Sequence, residues 1–321
     1  MHDAIADEFL TPLVVNSVQF AADGVRLFEL RHQTGLTLPP FAPGAHIPVM
    51  TPAGLRRYSL CNDPHETERY EIAVKREPAG RGGSRSMVDE VRVGDILPVG
   101  VPRNEFELHP RAKRFLFIAG GIGVTPIISM MRYLKRTQAA PFRLLYLTRD
   151  EANAPFLDVL STTDFAPITT VHYDYGEPAR SYDLWPILEK PTNEHIYCCG
   201  PRGLMDAVRD MSGHWPIGAV HFESFGVDAA TRSRDAPFDI VLARSGRTLH
   251  IPADRSILEV LRDAGVHVRS SCEAGSCGSC RTRLIAGDVE HRDFVLNDSE
   301  RESQMMVCCS RARSGNLTLD V

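Results

Sequence analysis

The stretch "RFLFIAGGIGVTPIISMMRYLK", Arg114–Lys135, decides the fold of the central part of this chain. Its first residues are an apolar run that predicts a buried strand, and its last residues predict a helix. Gly120, Gly121 and Gly123 lie between the two and permit a tight turn. A strand that passes through a glycine turn directly into a helix indicates a parallel β–α–β arrangement.

The same alternation continues along the chain. "FRLLYLTRD" (142–150) predicts another strand, and "HIYCCGPRGLMDAVRDM" (195–211) predicts a strand, a turn and a helix. We therefore expect an α/β domain with a parallel sheet over residues 111–226. Ligands of open parallel sheets bind beyond the carboxyl ends of the strands, where the Gly-rich turn and the turn Cys199-Gly200-Pro201 both fall. Simple packing of strand on helix is the alternative for either turn alone.

Residues 1–110 have a different pattern of short strands. "YEIAVKRE" (70–77) alternates, with Tyr70, Ile72 and Val74 on one face. "HIPVMTPAGLRRYSLCN" (46–62) predicts two strands around a Pro-Ala-Gly turn. Regular short strands with turn signals predict an antiparallel β-barrel.

The C-terminal part begins with a polar, Arg- and Asp-rich segment, 227–235, which predicts a linker. Over 236–321 we expect a third domain. "FDIVLARSGRTLHIP" (238–252) predicts a hairpin, "RSILEVLRDAG" (255–265) a helix that ends at Gly265, and "LTLDV" (317–321) a closing strand.

Three cysteines lie close together in "SSCEAGSCGSC" (270–280). The spacing is C-x4-C-x2-C, with Cys308 and Cys309 further along, which is the plant-type [2Fe–2S] spacing; structural zinc sites usually have paired C-x2-C units. The small residues between the cysteines would let amide N–H groups point at the sulfurs. A reactive or accidental Cys-rich loop is the alternative. Spacing alone leaves the fourth ligand open between Cys308 and Cys309.

Composition excludes several classes of function. The net charge of −5 and the lack of a Lys/Arg run give no reason to expect nucleic acid as a partner. The N-terminus is acidic and unlike a signal peptide, and glycines and a proline interrupt the longest apolar stretch, so we expect no membrane span. Eight cysteines in such a chain indicate metal or redox chemistry in the reducing cytoplasm.

Three motifs together give the chain a specific resemblance. "GGIGVTP" (120–126) and "CGP" (199–201) resemble the nicotinamide-binding domain of the ferredoxin–NADP reductase superfamily, and "RRYS" (56–59) resembles its flavin strand. The resemblance places Thr125 and Pro126 near nicotinamide and flavin, and Cys199 and Gly200 where hydride is transferred. It leaves Cys198 packed in the strand. The predicted nicotinamide contacts are Gly120, Gly121, Gly123, Thr125, Pro126, Cys199, Gly200 and Pro201.

The resemblance also assigns flavin contacts. Tyr58 would flank the isoalloxazine, Ser59 would reach its N5 region, and Arg56 would bind phosphate, with Arg57 as a second cation. Gly82, Gly83 and Ser84 form an anion nest at a helix start, with Ser84 expected to cap the helix. A single phosphate site predicts FMN and not FAD. Further predicted flavin contacts are Ala73, Val74, Lys75, Arg81, Phe225 and Gly226; a ring buried in the core is the alternative role for Phe225.

The order of the three parts resembles the phthalate dioxygenase reductase family, whose members use FMN. That resemblance predicts multidomain architecture: a flavin-binding β-barrel, a nicotinamide-binding α/β domain and a plant-type ferredoxin (β-grasp) domain. It implies that NADH reduces FMN and that electrons pass singly through a [2Fe–2S] cluster to a Rieske-type oxygenase. Ser59 and Cys199 would be catalytic, and the cluster ligands would be Cys272, Cys277, Cys280 and Cys308. No acid–base pair is expected, and His46, His172, His221 and His291 are interpreted as surface or core residues.

Some alternatives stay open. A related reductase, such as one serving an aromatic O-demethylase, would have the same motifs, and an iron–sulfur redox sensor is a different class of function. The choice of NADH over NADPH follows from the resemblance, since Arg149 could accept a 2′-phosphate and Asp174 could repel one. We expect a monomer.

Overall fold

The computed structural model describes residues 10–80, 82–226 and 234–321. The described residues form two compact units, one reaching Glu223 and the other running from Ser224 to Val321. Arg81 and most of the predicted linker, 227–233, lie outside the described residues.

The N-terminal part of the first unit is a six-stranded antiparallel sheet in the order β4-β3-β6-β1-β2-β5. A bridge between Leu60 and Ile72 joins the two ends of this order and closes the barrel. Tyr70, Ile72 and Val74 point into its core, as the alternation predicts. The elements are β1 (Thr11–Ala22), β2 (Val25–His32), β3 (His46–Thr51), β4 (Gly54–Ser59), β5 (Tyr70–Lys75), α1 (Gly83–Glu90) and β6 (Ile96–Val99).

The remainder of this unit is a five-stranded parallel sheet in the order β11-β10-β7-β8-β9. Strand β7 is apolar and buried from Phe115 to Gly120 because both of its faces are covered. The elements are β7 (Arg114–Gly120), α2 (Val124–Thr137), β8 (Phe142–Thr148), α3 (Leu157–Leu160), β9 (Thr169–Tyr173), α4 (Trp185–Leu188), β10 (Glu194–Cys199), α5 (Arg202–Met211) and β11 (Val220–Glu223).

Helix α2 holds the barrel against the parallel sheet. The Ser129 hydroxyl donates a hydrogen bond to the carbonyl of Asn62 at 2.9 Å. The Arg132 guanidinium donates to the carbonyl of Cys61 at 2.7 Å and lies 3.4 Å from the carboxylate of Glu71, which is buried. The segment at 61–62 begins two residues after the end of strand β4, so these bonds fix the predicted flavin strand relative to the predicted nicotinamide helix.

The second unit is a five-stranded mixed sheet in the order β13-β12-β16-β14-β15. Its main helix begins at a capping box, in which Ser256 and Glu259 each accept a backbone N–H of the other. It ends before Gly265, whose φ of 74° is the left-handed conformation expected after a helix. The elements are β12 (Phe238–Leu242), β13 (Thr248–Ile251), α6 (Ile257–Asp263), β14 (Arg281–Glu290), α7 (Asp298–Arg301), β15 (Gln304–Met306) and β16 (Arg311–Leu319).

The predicted fold class is confirmed: an antiparallel barrel, a parallel α/β sheet and a ferredoxin-type C-terminal unit follow one another. The predicted cap of α1 is wrong. Gly82, with a φ of 87°, is the N-cap, and the Ser84 hydroxyl accepts the backbone N–H of Glu77 at 3.0 Å. In the described part of the chain we find no helix with the length and apolar character needed to span a bilayer.

The contacts of α2 lead to a prediction for Arg132→Leu. Removal of the guanidinium leaves the Cys61 carbonyl and the buried Glu71 carboxylate without one donor, so we expect a loss of about 1–3 kcal/mol in the free energy of unfolding. Urea denaturation measures it. Arg136→Leu is the matched control, because the Arg136 side chain is 60% exposed and lies 3.5 Å from Asp63. Equal losses for the two variants would contradict the prediction.

Candidate functional site

The ends of β7 and β10 meet without side chains between them. A Cβ on Gly120 would overlap Pro201, and one on Gly200 would lie 2.9 Å from the Cα of Gly120. A Cβ on Gly123 would overlap the carbonyl of Cys199. The Gly-rich turn and the Cys-Gly-Pro turn therefore share one site, as predicted, because glycine lets the two backbones touch.

The first turn of α2 lies beside this meeting point. Thr125 and Pro126 are both buried, and the Thr125 hydroxyl donates to the carbonyl of Ile122 at 3.0 Å. Cys199 is fully buried, and burial raises the pKa of its thiol far above the usual range, with a further increase from Glu223. Cys199 is therefore a protonated, weakly polar side chain. Cys198 is also fully buried in its strand, as expected.

Ser59, at the end of the barrel strand β4, reaches the same site. Its hydroxyl lies 3.4 Å from the Glu223 carboxyl, and Glu223 is the neighbour of Cys199 in the parallel register of β10 and β11. Burial raises the pKa of Glu223 to about 8; the bond from Ser59 opposes this increase, and the charge of Glu105 adds to it. Glu223 therefore retains its proton near neutral pH.

Glu223 is the candidate site residue that the sequence analysis missed. The segment "HFESFG" was considered only for Phe225 and Gly226, and no acid–base group was expected. The contact between Ser59 and Glu223 joins residues 164 positions apart. A carboxylate that ends an apolar strand beside the Cys-Gly-Pro strand was the available signal.

The predicted flavin strand has features that fit a bound cofactor. The Tyr58 hydroxyl is buried and has no hydrogen-bond partner among the residues described, and burial raises its pKa. Arg56 packs across the start of α1, where a Cβ on Gly83 would overlap its side chain. An arginine beside the N–H groups of a helix N-terminus suits a phosphate group. The structure thus brings Arg56, Gly82 and Gly83 together, as predicted.

The other predicted flavin contacts differ in burial and in the direction of their side chains. Ala73 and Val74 are buried, with Val74 pointing into the barrel core, so it could contact a cofactor through its backbone only. Lys75 is exposed at the strand end. Phe225 and Gly226 begin the second unit; the Phe225 ring is 52% exposed, so it is not a core residue of that unit.

The predicted cluster ligands form two pairs. The Cys272 and Cys277 thiols are hydrogen-bonding neighbours, and so are the Cys280 and Cys308 thiols. Within the ranges that the structure describes, no three or more metal-binding side chains gather around a single point. Two pairs of thiolates are the donor set of two iron ions, and a single zinc ion would need all four together.

The backbone of the loop is shaped around these sulfurs. The N–H groups of Ala274 and Ser276 each lie 3.4 Å from the Cys272 sulfur, and the N–H of Cys272 lies 3.4 Å from the Cys277 sulfur. The expectation that amide groups point at the sulfurs is confirmed. Such donors stabilise negative charge on a cluster.

The two adjacent cysteines face different surroundings. Cys308 contacts Cys280 as well as Cys309, whereas Cys309 packs beneath Gly275, where a Cβ would lie 2.7 Å from its sulfur. The Cys309 thiol also lies 3.8 Å from the Met306 carbonyl. This arrangement favours Cys308 as the fourth ligand and gives Cys309 a packing role.

Comparisons with known proteins agree with this geometry. Residues 240–313 match the family model of the 2Fe-2S iron-sulfur cluster binding domain. The chain is 55% identical over 317 residues to the phthalate 4,5-dioxygenase oxygenase reductase subunit of Pseudomonas putida, with 98% of each chain covered. It is 36% identical to a vanillate O-demethylase oxidoreductase of Pseudomonas sp. (strain HR199 / DSM 7063), with 96% of this chain and 99% of the relative covered.

A solved structure is similar over nearly the whole chain. It is described as phthalate dioxygenase reductase, a modular structure for electron transfer from pyridine nucleotides to [2Fe–2S], and superposes with a TM-score of 0.78 at 50% identity, with 97% of this chain and 98% of that chain covered. A flavin-type barrel, a nicotinamide-type sheet and an iron–sulfur domain define an electron-transfer oxidoreductase. The chain belongs to the phthalate dioxygenase reductase family.

The pairing of the sulfurs leads to a prediction about the fourth ligand. We expect Cys308→Ser to lose most of its iron and its iron–sulfur absorbance, because one pair then lacks a thiolate. Cys309→Ser is the matched control and should retain both, since its sulfur packs against Gly275. Iron analysis and visible absorbance measure the outcome, and the reverse result would refute the assignment.

The buried carboxyl leads to a second prediction. Unfolded Glu223 releases its proton near its ordinary pKa of 4.5, and the folded protein holds it until about pH 8. The stability that this group contributes is therefore complete below pH 4.5 and is lost as the pH rises toward 8. Urea denaturation should show wild type losing stability relative to Glu223→Gln by at most about 1.4 kcal/mol per pH unit. A difference independent of pH would contradict this.

Proposed function

We propose that this protein transfers electrons from NADH through FMN and a [2Fe–2S] cluster to a Rieske-type oxygenase. The observation that carries the proposal is the sorting of four cysteines into two pairs, on a chain that also holds a site where Ser59, Cys199 and Glu223 converge. A two-electron donor and a one-electron centre require a group between them that can exchange electrons in both ways. FMN, when bound, supplies that exchange.

The residues of the chain bind and align the reactants. Arg56 and the start of α1 would hold the single phosphate of FMN, and Tyr58 would lie against its ring, where the unpaired hydroxyl can gain a partner. Thr125 and Cys199 would line the nicotinamide side; the protonated thiol of Cys199 adds no charge there. Hydride transfer depends mainly on such alignment.

Ser59 and Glu223 would bind and release the proton that accompanies the transfer of hydride. The Ser59 hydroxyl would lie at the reacting edge of the flavin, within 3.4 Å of the Glu223 carboxyl. Since Glu223 has a pKa of about 8, it can both hold and release a proton under physiological conditions.

The residue that follows β9 supports NADH. Asp174 follows β9, and its carboxylate accepts the Gly176 N–H at 2.7 Å, which fixes it at the surface. A fixed carboxylate can bond ribose hydroxyls and repels a 2′-phosphate. Arg149, whose side chain packs against Gly176, is the group that would favour NADPH. We propose that the carboxylate decides the preference.

The oxygenase partner follows from the relatives. The 55% identity to a phthalate 4,5-dioxygenase reductase subunit supports a phthalate-type dioxygenase as the partner. A second candidate is an aromatic O-demethylase, supported by the relative at 36% identity. The eight cysteines form no disulfide bonds among the described residues, which supports the expected cytoplasmic location.

Anaerobic titration tests the proposed electron path. We expect about 1.5 equivalents of NADH to bleach flavin and cluster absorbance together, because FMN takes two electrons and the cluster takes one. NADPH should react at least roughly tenfold more slowly, given the Asp174 carboxylate. Cys308→Ser is the control in which flavin bleaches and no cluster signal exists. If NADH does not bleach the absorbance of the purified protein, the proposed function is wrong.

Electron transfer to purified oxygenase components then identifies the partner. Reduced protein should reoxidise with a phthalate-type dioxygenase faster than with an O-demethylase oxygenase, by a margin of about tenfold or more if docking is specific. Equal rates with both would contradict the phthalate-type assignment.

A further inference from the structure

One face of the strand pair β3–β4 carries a buried group of polar side chains that the reaction described above uses only in part. His46 and Ser59 are direct cross-strand partners. Side chains at such positions lie on the same face, with Cβ atoms about 4.5–5.5 Å apart. Ser59 contacts Glu223 at 3.4 Å, and His46 Nδ1 lies 3.4 Å from a carboxylate oxygen of Glu105. We refer to His46, Ser59, Glu105 and Glu223 as the polar cluster.

Burial within the polar cluster decreases toward Glu105. Ser59, His46 and Glu223 are 5%, 6% and 9% exposed, whereas the Glu105 side chain is 21% exposed. Glu223 lies beside Cys199, and Ser59 contacts Glu223, whereas Glu105 lies against His46. The polar cluster therefore extends from the reacting site to water.

The proposed function, on which this inference rests, requires a path for protons from the reacting site to water. NADH supplies a hydride, which is one proton with two electrons, and becomes NAD⁺. Both electrons leave singly through the iron–sulfur domain. One proton per NADH stays behind in a site enclosed by buried side chains, and it must reach water before the next turnover.

We propose that Glu105 is the proton outlet of the reductase. Glu223, which holds a proton at rest, first passes it to the carboxylate of Glu105, and Glu105 releases it to water. The Ser59 hydroxyl then gives its proton to the Glu223 carboxylate as the Ser59 oxygen takes the proton left after both electrons have departed. No bond other than O–H bonds forms or breaks, and no additional reactant is needed.

The surrounding charges suit this direction of transfer. The Glu105 charge is one cause of the raised pKa of Glu223, so the two carboxyls are electrostatically coupled. Burial lowers the pKa of His46 to about 4; Glu105 opposes this, and the nearby cations Arg57 and Arg103 add to it. His46 is thus neutral at pH 7. Its Nδ1 faces the carboxylate, and its buried Nε2 makes no hydrogen bond within the described part of the chain.

Glu105→Gln tests the proposal, with Glu107→Gln as the matched control. Glu107 is exposed, and its backbone carbonyl accepts the hydrogen bond of the Tyr197 hydroxyl, a contact that the change to glutamine leaves in place. In stopped-flow measurements with NADH, a one-electron acceptor and a pH-indicator dye, we expect Glu105→Gln to slow proton release and steady-state turnover by roughly 10²-fold. Flavin reduction in the first half-reaction should keep its wild-type rate. The solvent deuterium isotope effect should rise, and added formate should restore the rate.

A second measurement needs neither NADH nor turnover. Infrared titration of the buried carboxyl should find the Glu223 midpoint lower in Glu105→Gln than in wild type, because a neutral amide no longer repels the Glu223 charge. Glu107→Gln should leave it unchanged. Thermal denaturation of all variants checks that they are folded, and Glu105→Asp, with a shorter arm, should give an intermediate rate of proton release.

The outcomes separate this inference from the proposed function. If NADH does not reduce the wild type, the proposed function fails, and the infrared titration still judges the coupling of the two carboxyls. If the wild type is reduced but Glu105→Gln matches Glu107→Gln in proton release and isotope effect, Glu105 is not the outlet. An unchanged Glu223 midpoint in Glu105→Gln would overturn the proposal as well.

Discussion

The direct contact between two glycine turns is the constraint on which the reacting site depends. Gly120 and Gly200 end neighbouring strands, and their backbones approach so closely that neither position has room for a Cβ. This contact aligns the start of α2 with Cys199, and the parallel register then brings Glu223 beside Cys199. A side chain at either glycine would move three functional elements at once, because each is attached to the turn by a short, rigid segment.

Much of the fold could be predicted because its signals are local. The glycine turn between strand and helix, the alternation in "YEIAVKRE" and the capping residues around α6 each occupy a few neighbouring positions. The cap of α1 could not be predicted in this way. Ser84 has the right chemistry for a cap, but its hydroxyl bonds Glu77, and glycine at position 82 adopts the left-handed conformation that begins the helix.

The candidate site was predictable only where a motif names its residues. The three clustered cysteines have a characteristic spacing, whereas the choice between Cys308 and Cys309 depends on a contact with Gly275 that no spacing encodes. No motif in the sequence points to Glu223 or Glu105. Their chemistry depends on Ser59 and His46, which lie far from them in the chain, and on burial that only the folded barrel and sheet create.

The unequal burial of the four thiols has a consequence for how the iron–sulfur unit matures. Cys280 and Cys308 belong to the buried core of the second unit, and Cys272 and Cys277 lie on a partly exposed glycine-rich loop. The inner thiols are therefore positioned by folding itself. A cluster arriving from solution would meet Cys272 and Cys277 first, because their loop is the more exposed side of the site.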